Sequence, residues 1–341
     1  MLWKTYNNRN ISPARPVQHY GISSRPQVLI SRCLLGHKCR YDGEIFSFCE
    51  VQELKKHFDF ITICPETELG LNSPRPPIKL IKAKNTWLLK QPGSNVYLQD
   101  GIRKIVLKYL KNFPVEGMIL KEKSPTCGKN SCKYYFPGQT SSQGRAPGFL
   151  PQIAKFYFPH LPLINELELR RSTQLYYFLL KIYARFNWRK LLNNYSIGDL
   201  QKFHADYKLL LLGFSRKLVD KLGRILAGQQ KYSKKELQDK YYRNFMQCLS
   251  LELNRSNWKN VILHGFGHIS DNITSREKKK FLADVEKFME GKHCYLKINE
   301  WLRCQAKKLE NNYLLKQKFL SPYPQDLNKS LKECGTIPNP F

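Results

Sequence analysis

The chain has no apolar run approaching the ~18–20 unbroken residues that a membrane helix needs, so no membrane insertion is expected. Its start, MLWKTYNNRNISPARPVQHYG, has no apolar core and no small-residue cleavage site, so it is not a secretory signal and reads as a flexible polar lead-in over residues 1–25. Cysteine is sparse for a disulfide scaffold, at ten in 341 residues. With no export signal, a cytoplasmic, reducing setting is expected, and the thiols are expected to be ligands, catalytic groups or buried side chains. No two cysteines stand in a C-x2-C pair, the usual spacing of structural zinc. Acid is also scarce, with 27 Asp and Glu against 57 Lys and Arg, a formal net charge of +30.

What is present suffices for two ordinary domains with real cores: 42% of the residues are hydrophobic and 13% aromatic. The basic excess is not one tail, since residues 1–165 hold 24 basic and 10 acidic side chains and residues 166–341 hold 33 and 17. A field of that size favours polyanions, nucleic acid first and anionic membrane surface second. A Lys-, Asn- and Tyr-rich compositional bias explains the charge equally well.

Three short apolar runs in the first half have strand length: Val28-Leu29-Ile30, Phe60-Ile61-Thr62-Ile63 and Met118-Ile119-Leu120. Between the first two lies GEIFSFCEVQELKKHFD, with Ile45, Val51 and Leu54 at helical spacing. Before the third lies DGIRKIVLKYLKNF, whose Ile102, Ile105, Val106 and Leu110 make a helix face, with Asp100 as candidate N-cap. Strand–helix–strand order predicts an α/β domain over 26–165 with a parallel, helix-covered sheet. Residues 80–98 are expected to form an inserted hairpin turning at Gln91-Pro92-Gly93-Ser94. The Gly-, Pro-, Ser- and Gln-rich stretch 133–147 is expected to be a mobile loop, and a helix is expected over Phe149–Phe158. Beyond Leu163 helical periodicity dominates, which predicts an all-α domain over 170–320 and a loop-and-tail ending over 321–341. Leu211, Phe214, Leu218, Leu222 and Ile225 form one stripe stopped by Gly228, and Ser275 is a candidate N-cap without a capping box.

Each of the three strands is followed by a cysteine: Cys33 after Ile30, Cys64 directly after Ile63, and Cys127 after Leu120. Open α/β sheets place ligands at the carboxyl ends of their strands, so the three thiols are expected in one crevice. A structural zinc site wants four ligands, and an iron–sulfur cubane normally takes four cysteines. Three thiolates would leave one iron open to a substrate atom, which suits catalysis better than electron transfer. Three separately buried thiols satisfy the spacing equally well.

CLLGHKCRYDGE (33–44), CPETELGLNSPRPP (64–77) and LKEKSPTCG (120–128) together resemble the signature segments of the thiouracil desulfurase (TudS) family. The resemblance covers about residues 26–165. It implies a [4Fe–4S] cluster held by Cys33, Cys64 and Cys127. It also implies that the sulfur of a thiolated pyrimidine binds the open iron, that water attacks the carbon, and that oxygen replaces sulfur. On chemical grounds Glu66, two residues past a ligand, is a candidate general base for water and acid for the ring nitrogen. Ser124 is a candidate hydrogen-bond partner of that water or of the substrate carbonyl. Arg75, between two prolines, is placed to contact cluster charge or a substrate oxygen, or to pair with Asp42 or Glu66. Asp42, in the turn Arg40-Tyr41-Asp42-Gly43, is a candidate substrate contact, although turn and salt-bridge duty suits it better. Gly36 and Gly128 are expected to admit close backbone approach to the cluster. Cys39 and Cys132 are each close enough in sequence to add a fourth ligand, and Cys132 could instead accept sulfur. Cys39 stands where the family pattern leads one to expect a small apolar residue.

FHADYKLLLLGFSRKLVDKLGRILAG (203–228), NVILHGFGHI (260–269) and LKQKFLSPYPQDL (315–327) resemble a YbgA-type helical domain, which carries no established chemistry. Tyr207 and Phe214 replace histidines common in that pattern, which argues against a metal on this helix. His264 and His268, at helical spacing, and His293-Cys294 lack the glutamate of a metalloprotease motif and read as core or surface groups. Cys248 and Cys304 read as core residues. Lys208, Arg216, Lys217, Lys221 and Arg224 form a basic helix face, either simply solvated or gripping phosphates such as those of a thiolated tRNA. The leading reading is a cluster-dependent desulfurase acting on a thiolated nucleobase, nucleoside or RNA. The alternatives are a nucleic-acid-binding protein with structural metal and an iron–sulfur protein that senses or stores sulfur without turnover.

Overall fold

A computed structural model describes residues 23–341 apart from 85, 95, 194, 293 and 294. The lead-in expected over 1–25 therefore lies outside the described residues except at its last three positions, as does the His293-Cys294 pair. The chain divides into two compact units. The first runs to Phe178 and takes in Lys329–Ile337; the second comprises Leu179–Asn328 and Pro338–Phe341.

The first unit opens with β1 (Gln27–Ser31), α1 (Cys49–Leu54), β2 (Asp59–Ile63) and the single turn α2 (Pro65–Glu68). There follow β3 (Lys79–Ala83), β4 (Thr86–Lys90), α3 (Gln99–Asn112) and β5 (Gly117–Leu120). Then come β6 (Cys132–Tyr135), β7 (Gly144–Ala146), α4 (Phe149–Tyr157) and β8 (Leu163–Asn165). The expected parallel sheet is present, in the order β2-β1-β5-β8, with every neighbouring pair parallel. Leu29, Ile63, Met118 and Leu120 pack with Ile102, Val106 and Leu110 of α3 and Phe149, Leu150 and Ile153 of α4 in one apolar core. Asp100 lies in the first turn of α3 and Leu98 is the capping residue, so the carboxylate acts on the helix dipole and makes no cap hydrogen bond.

Three expectations in this unit give way. The helix within 43–59 is shortened to α1 and Ile45 is exposed, because Phe48 is extended and the residues before it are tied elsewhere, with Leu35 bridged to Ser47 and Arg40 stacked on Phe46. The inserted hairpin turns between Ala83 and Thr86, while Gln91–Ser94 makes a second turn that brings Tyr97 back to Lys90. Residues 133–147 hold the antiparallel pair β6–β7 in a second sheet of order β4-β3-β6-β7. Their composition signals no strand. What orders them is the partner, since Leu80 and Ile81 of β3 pair with Tyr134 and Tyr135 and Trp87 meets Tyr134 edge-on.

The chain then becomes helical, with α5 (Ser172–Leu192), α6 (Ile197–Leu212), α7 (Arg216–Ala227), α8 (Lys234–Leu249) and α9 (Arg255–Gly267). It continues through α10 (Ser275–Met289), α11 (Tyr295–Lys308), α12 (Asn312–Lys316) and α13 (Gln325–Glu333). The α/β class of the first unit and the α class of the second are as expected. The Leu211–Ile225 stripe is split at Gly213, where a Cβ would lie 2.2 Å from Trp258 Cε3, and Ser215 restarts the helix by accepting from Leu218 N–H. α10 is capped by Thr274, with Glu277 completing a capping box, one residue earlier than Ser275. Trp188 stacks on Tyr241 at 5.5 Å beside Phe203 and Phe245, an aromatic core for the second unit. The ending expected as loop contains α13, whose Leu327 and Leu331 are buried. Cys334 just beyond it is disulfide-bonded to Cys49. Those two residues are therefore neither ligands nor free thiols, contrary to the expectation for the cysteines.

Candidate active site

Strand order decides where the three cysteines go. β2, β1 and β5 are adjacent and parallel, so their carboxyl ends lie side by side. Cys33 sits in a single 3-10 turn (Arg32–Leu34) right after β1, Cys64 is the residue between β2 and α2, and Cys127 lies in the turn after β5. After Cys33 the chain reverses at Gly36, whose φ of +84° favours glycine.

Glu68 binds the first two segments together. Its Oε1 accepts from Arg32 Nη2 at 3.0 Å, from Tyr109 Oη at 2.9 Å and from Cys64 N–H at 3.4 Å. The third segment is fixed by Ser124, whose Oγ accepts from Thr126 N–H at 3.2 Å and Cys127 N–H at 3.0 Å. Gly128 N–H closes the same turn on Ser124 O at 2.8 Å. A Cβ at Gly128 would lie 2.7 Å from that carbonyl, so this glycine is required by its own turn. Two ion pairs bracket the loop: Lys121 with the buried Glu166, and Lys129 with Glu168 at 2.7 Å. Ser31 Oγ accepts from Lys121 N–H at 3.0 Å, joining the ends of β1 and β5.

The thiols meet one another and one carboxylate. Cys64 Sγ lies 3.5 Å from Glu66 Oε2, and Glu66 is only 6% exposed. The Cys39 thiol hydrogen-bonds with those of both Cys33 and Cys64. Cys127 is buried within electrostatic reach of Glu66 and Cys64, with the Ser31 and Ser124 side chains against its thiol. Hydrogen bonding with Cys39, then burial, then the Glu66 charge push the Cys64 thiol far up. Burial, then Glu66, does the same to Cys127. The hydrogen bond to Cys33 leads the causes that push Cys39 up to about 11. These thiols ionise only beside a compensating cation. Among the described residues, no three His, Cys, Asp or Glu side chains are grouped to hold a metal ion. The donor set itself is all sulfur and soft, with Cys64 and Cys127 buried and Cys33 half-buried, which fits an iron–sulfur centre by its chemistry.

The other predicted site residues have definite places. Arg75 pairs with neither Asp42 nor Glu66; its Nη1 donates to the Cys39 and Asn72 carbonyls, both at 3.1 Å, and its Nε is buried without a partner. Arg75 N–H donates to Tyr41 O at 2.7 Å, so the proline loop is fastened to the segment that follows Cys33. Asp42 is engaged by Arg40 and by Glu44 N–H, the Arg40 hydrogen bond holding its carboxyl down to about 2. It is a turn and salt-bridge residue. Ser31, Glu68 and Glu166 were not singled out from sequence. The only signals available were the position of Ser31 at the strand end and of Glu68 within the second cysteine segment.

Elsewhere, Cys248 is buried as expected, but Cys304 is exposed. His264 and His268 lie with ring centroids 5.3 Å apart, and the His268 ring is 4.6 Å from that of Tyr313. Tyr207 is buried and accepts from Asn187 Nδ2 at 2.9 Å. Lys208, Arg216, Lys217, Lys221 and Arg224 are all exposed on α6 and α7. No helix among the described residues is long and apolar enough to cross a membrane.

Two family models match separate stretches of the chain. Residues 28–166 match the family described as 2-thiouracil desulfurase, and residues 208–324 match a family described as a protein of unknown function, DUF1722. The chain is 29% identical over 111 residues to the uncharacterized protein YbbK of Bacillus subtilis (strain 168), covering 30% of this chain and 72% of YbbK. It is 24% identical over 164 residues to the uncharacterized protein YbgA of Escherichia coli (strain K12), covering 47% of this chain and 94% of YbgA. A solved structure of the [4Fe–4S]-dependent thiouracil desulfidase TudS is 22% identical, covers 42% of this chain and 93% of its own, and superposes with a TM-score of 0.34. The chain thus joins a thiouracil-desulfurase-like domain to a YbgA-like domain that matches DUF1722.

Proposed function

We propose that the first unit holds a [4Fe–4S] cluster on Cys33, Cys64 and Cys127 and hydrolytically removes sulfur from a thiolated pyrimidine, as thiouracil-type base, nucleoside or RNA. The observation that carries this reading is the adjacency of β2, β1 and β5, each followed by one of these cysteines, with Glu66 against Cys64. When bound, such a cluster supplies a Lewis-acidic iron without a protein donor, suited to a thiocarbonyl sulfur. The chain's own groups do the rest. Glu66 takes a proton from the attacking water and returns one to the ring nitrogen, so C=S and water become C=O and hydrogen sulfide. Ser124, whose oxygen already accepts two backbone N–H groups, holds Cys127 in place and is a positioning residue. Arg75 fixes the Cys39 carbonyl and offers its buried Nε to a substrate oxygen. The setting proposed is cytoplasmic.

The test is anaerobic purification, iron and sulfide analysis, and an assay on 2- and 4-thiouracil. A cluster with turnover supports the reading. Zinc without sulfide favours a structural metal site instead, and a cluster without turnover favours a sensing or storage role. The five exposed basic side chains on α6 and α7 favour one addition, that the second unit holds nucleic acid. Binding of tRNA that weakens steeply with salt is expected, and no binding at low salt removes the addition.

A further inference from the structure

Of the two cysteines close in sequence to the strand-end thiols, the structure separates one from the other. Cys132 begins β6, its thiol directed to the Lys133 carbonyl at 3.2 Å, and burial alone pushes it up to about 12. Cys39 is different. It is 6% exposed, and the thiols of both Cys33 and Cys64 lie within electrostatic reach of its own. Its backbone is fastened to the same centre, because its carbonyl accepts from Arg75 Nη1 at 3.1 Å and lies 3.8 Å from Cys64 Sγ. Its own N–H closes a tight turn on His37 O at 2.9 Å. A cysteine kept only for packing has no reason to stand beside two other thiols, where an apolar side chain would fill the space without unmet polarity.

We propose that Cys39 is the fourth, exchangeable thiolate of the cluster site: it covers the iron that Cys33, Cys64 and Cys127 leave without a protein donor until a substrate sulfur displaces it. This rests on the cluster reading above and changes its resting state. Thiolate is the donor a cubane iron prefers, and Cys39 is a thiol beside two members of this set. The exchange is a substitution without electron transfer. The bond from iron to Cys39 Sγ breaks, a bond from iron to the thiocarbonyl sulfur forms, and the released thiolate takes up a proton from solvent. Cys39 then gives up that proton and returns as a thiolate when product sulfide leaves as hydrogen sulfide. The substrate pays a competition cost in affinity, and the resting centre is shielded from loss of iron.

The test uses the full-length holoprotein, wild type and Cys39→Ala, loaded anaerobically, with Cys39→Ser as the near-isosteric check on folding. Iron and sulfide are measured first. Samples are then oxidised with ferricyanide and followed by electron paramagnetic resonance, which distinguishes a three-iron from a four-iron cluster. Both proteins are expected to carry four irons before oxidation. Cys39→Ala is expected to lose one iron and give the three-iron signal, while wild type resists. Thiouracil titrated against cluster absorbance is expected to bind Cys39→Ala about tenfold more tightly, the factor for a site about nine-tenths closed at rest. A wild-type protein with a cluster that yields the three-iron signal as readily as the variant, and binds thiouracil equally well, overturns the assignment of Cys39 alone. A folded Cys39→Ala or Cys39→Ser protein that takes up no cluster overturns the exchangeable role, because Cys39 is then obligatory. A wild-type protein without iron and sulfide overturns the cluster reading and this proposal together.

Discussion

Replacing Glu66 by Gln separates two jobs that one carboxylate performs in opposite directions. The side chain is 6% exposed and its Oε2 lies 3.5 Å from Cys64 Sγ. At that distance and an effective dielectric of about 20, a carboxylate and a thiolate repel by about 5 kcal/mol, so the Glu66 charge helps to hold the Cys64 thiol up. Glutamine keeps the shape and removes the charge. The variant is therefore expected to bind iron and sulfide at least as well as wild type, since Cys64 and Cys127 then ionise more easily. It is also expected to lose the group that moves the proton of water, which costs about 10²–10⁴ in turnover, or about 3–5 kcal/mol of barrier. The assay is iron and sulfide content of anaerobic protein, followed by loss of thiocarbonyl absorbance from 2- and 4-thiouracil. A fully loaded variant within about tenfold of wild type refutes the proton-transfer role. A folded variant that holds no cluster refutes the claim that the charge opposes thiolate formation.

Gly128→Ala forces a Cβ to within 2.7 Å of the Ser124 carbonyl, so the Cys127 turn must open at a cost of about 1–3 kcal/mol; weakened cluster retention with α-helix content intact by circular dichroism is the expected result, and full retention would refute the turn requirement. Burial holds His204 down to about 4 from its ordinary value near 6.5, so the folded helical unit binds fewer protons than the unfolded chain between those values. Its stability should therefore fall as pH drops from 6.5 to 4, by at most about 3 kcal/mol, and His204→Gln should flatten that slope in urea titrations; an unchanged slope would contradict the assignment. Cys334→Ser removes a link between residues 285 apart in sequence, and a loss of about 2–4 kcal/mol with faster proteolysis after α13 is expected. Identical melting and proteolysis with and without a thiol reductant would show that Leu327 and Leu331 hold the helix unaided.

Much of the frame was legible in the residues. Val28–Ile30, Phe60–Ile63 and Met118–Leu120 carry their strand character in short, β-branched or apolar runs, and a helix between two strands makes the parallel arrangement almost obligatory. That arrangement alone delivers Cys33, Cys64 and Cys127 to one edge. Ile102, Val106 and Leu110 likewise announce the buried face of α3. Local chemistry failed where another part of the chain supplied the missing partner. Residues 133–147 become strands because β3 offers them hydrogen bonds, and the α6–α7 break at Gly213 exists because Trp258 approaches there. The hydroxyl of Ser124 turned out to be an acceptor for its own turn, and Arg75 reaches carbonyls in place of either expected acid.

The sequence by itself determined the sheet, its covering helices, the helical second half and the three strand-end cysteines, because hydrophobic periodicity and strand-end position are properties of a few neighbouring residues. Only the tertiary structure decided which further sulfur joins them: Cys39 faces Cys33 and Cys64 while Cys132 turns to its own strand, and Cys49 finds Cys334 across nearly the whole chain. Such pairings depend on the direction of a side chain after distant segments have packed, and no local pattern encodes that direction.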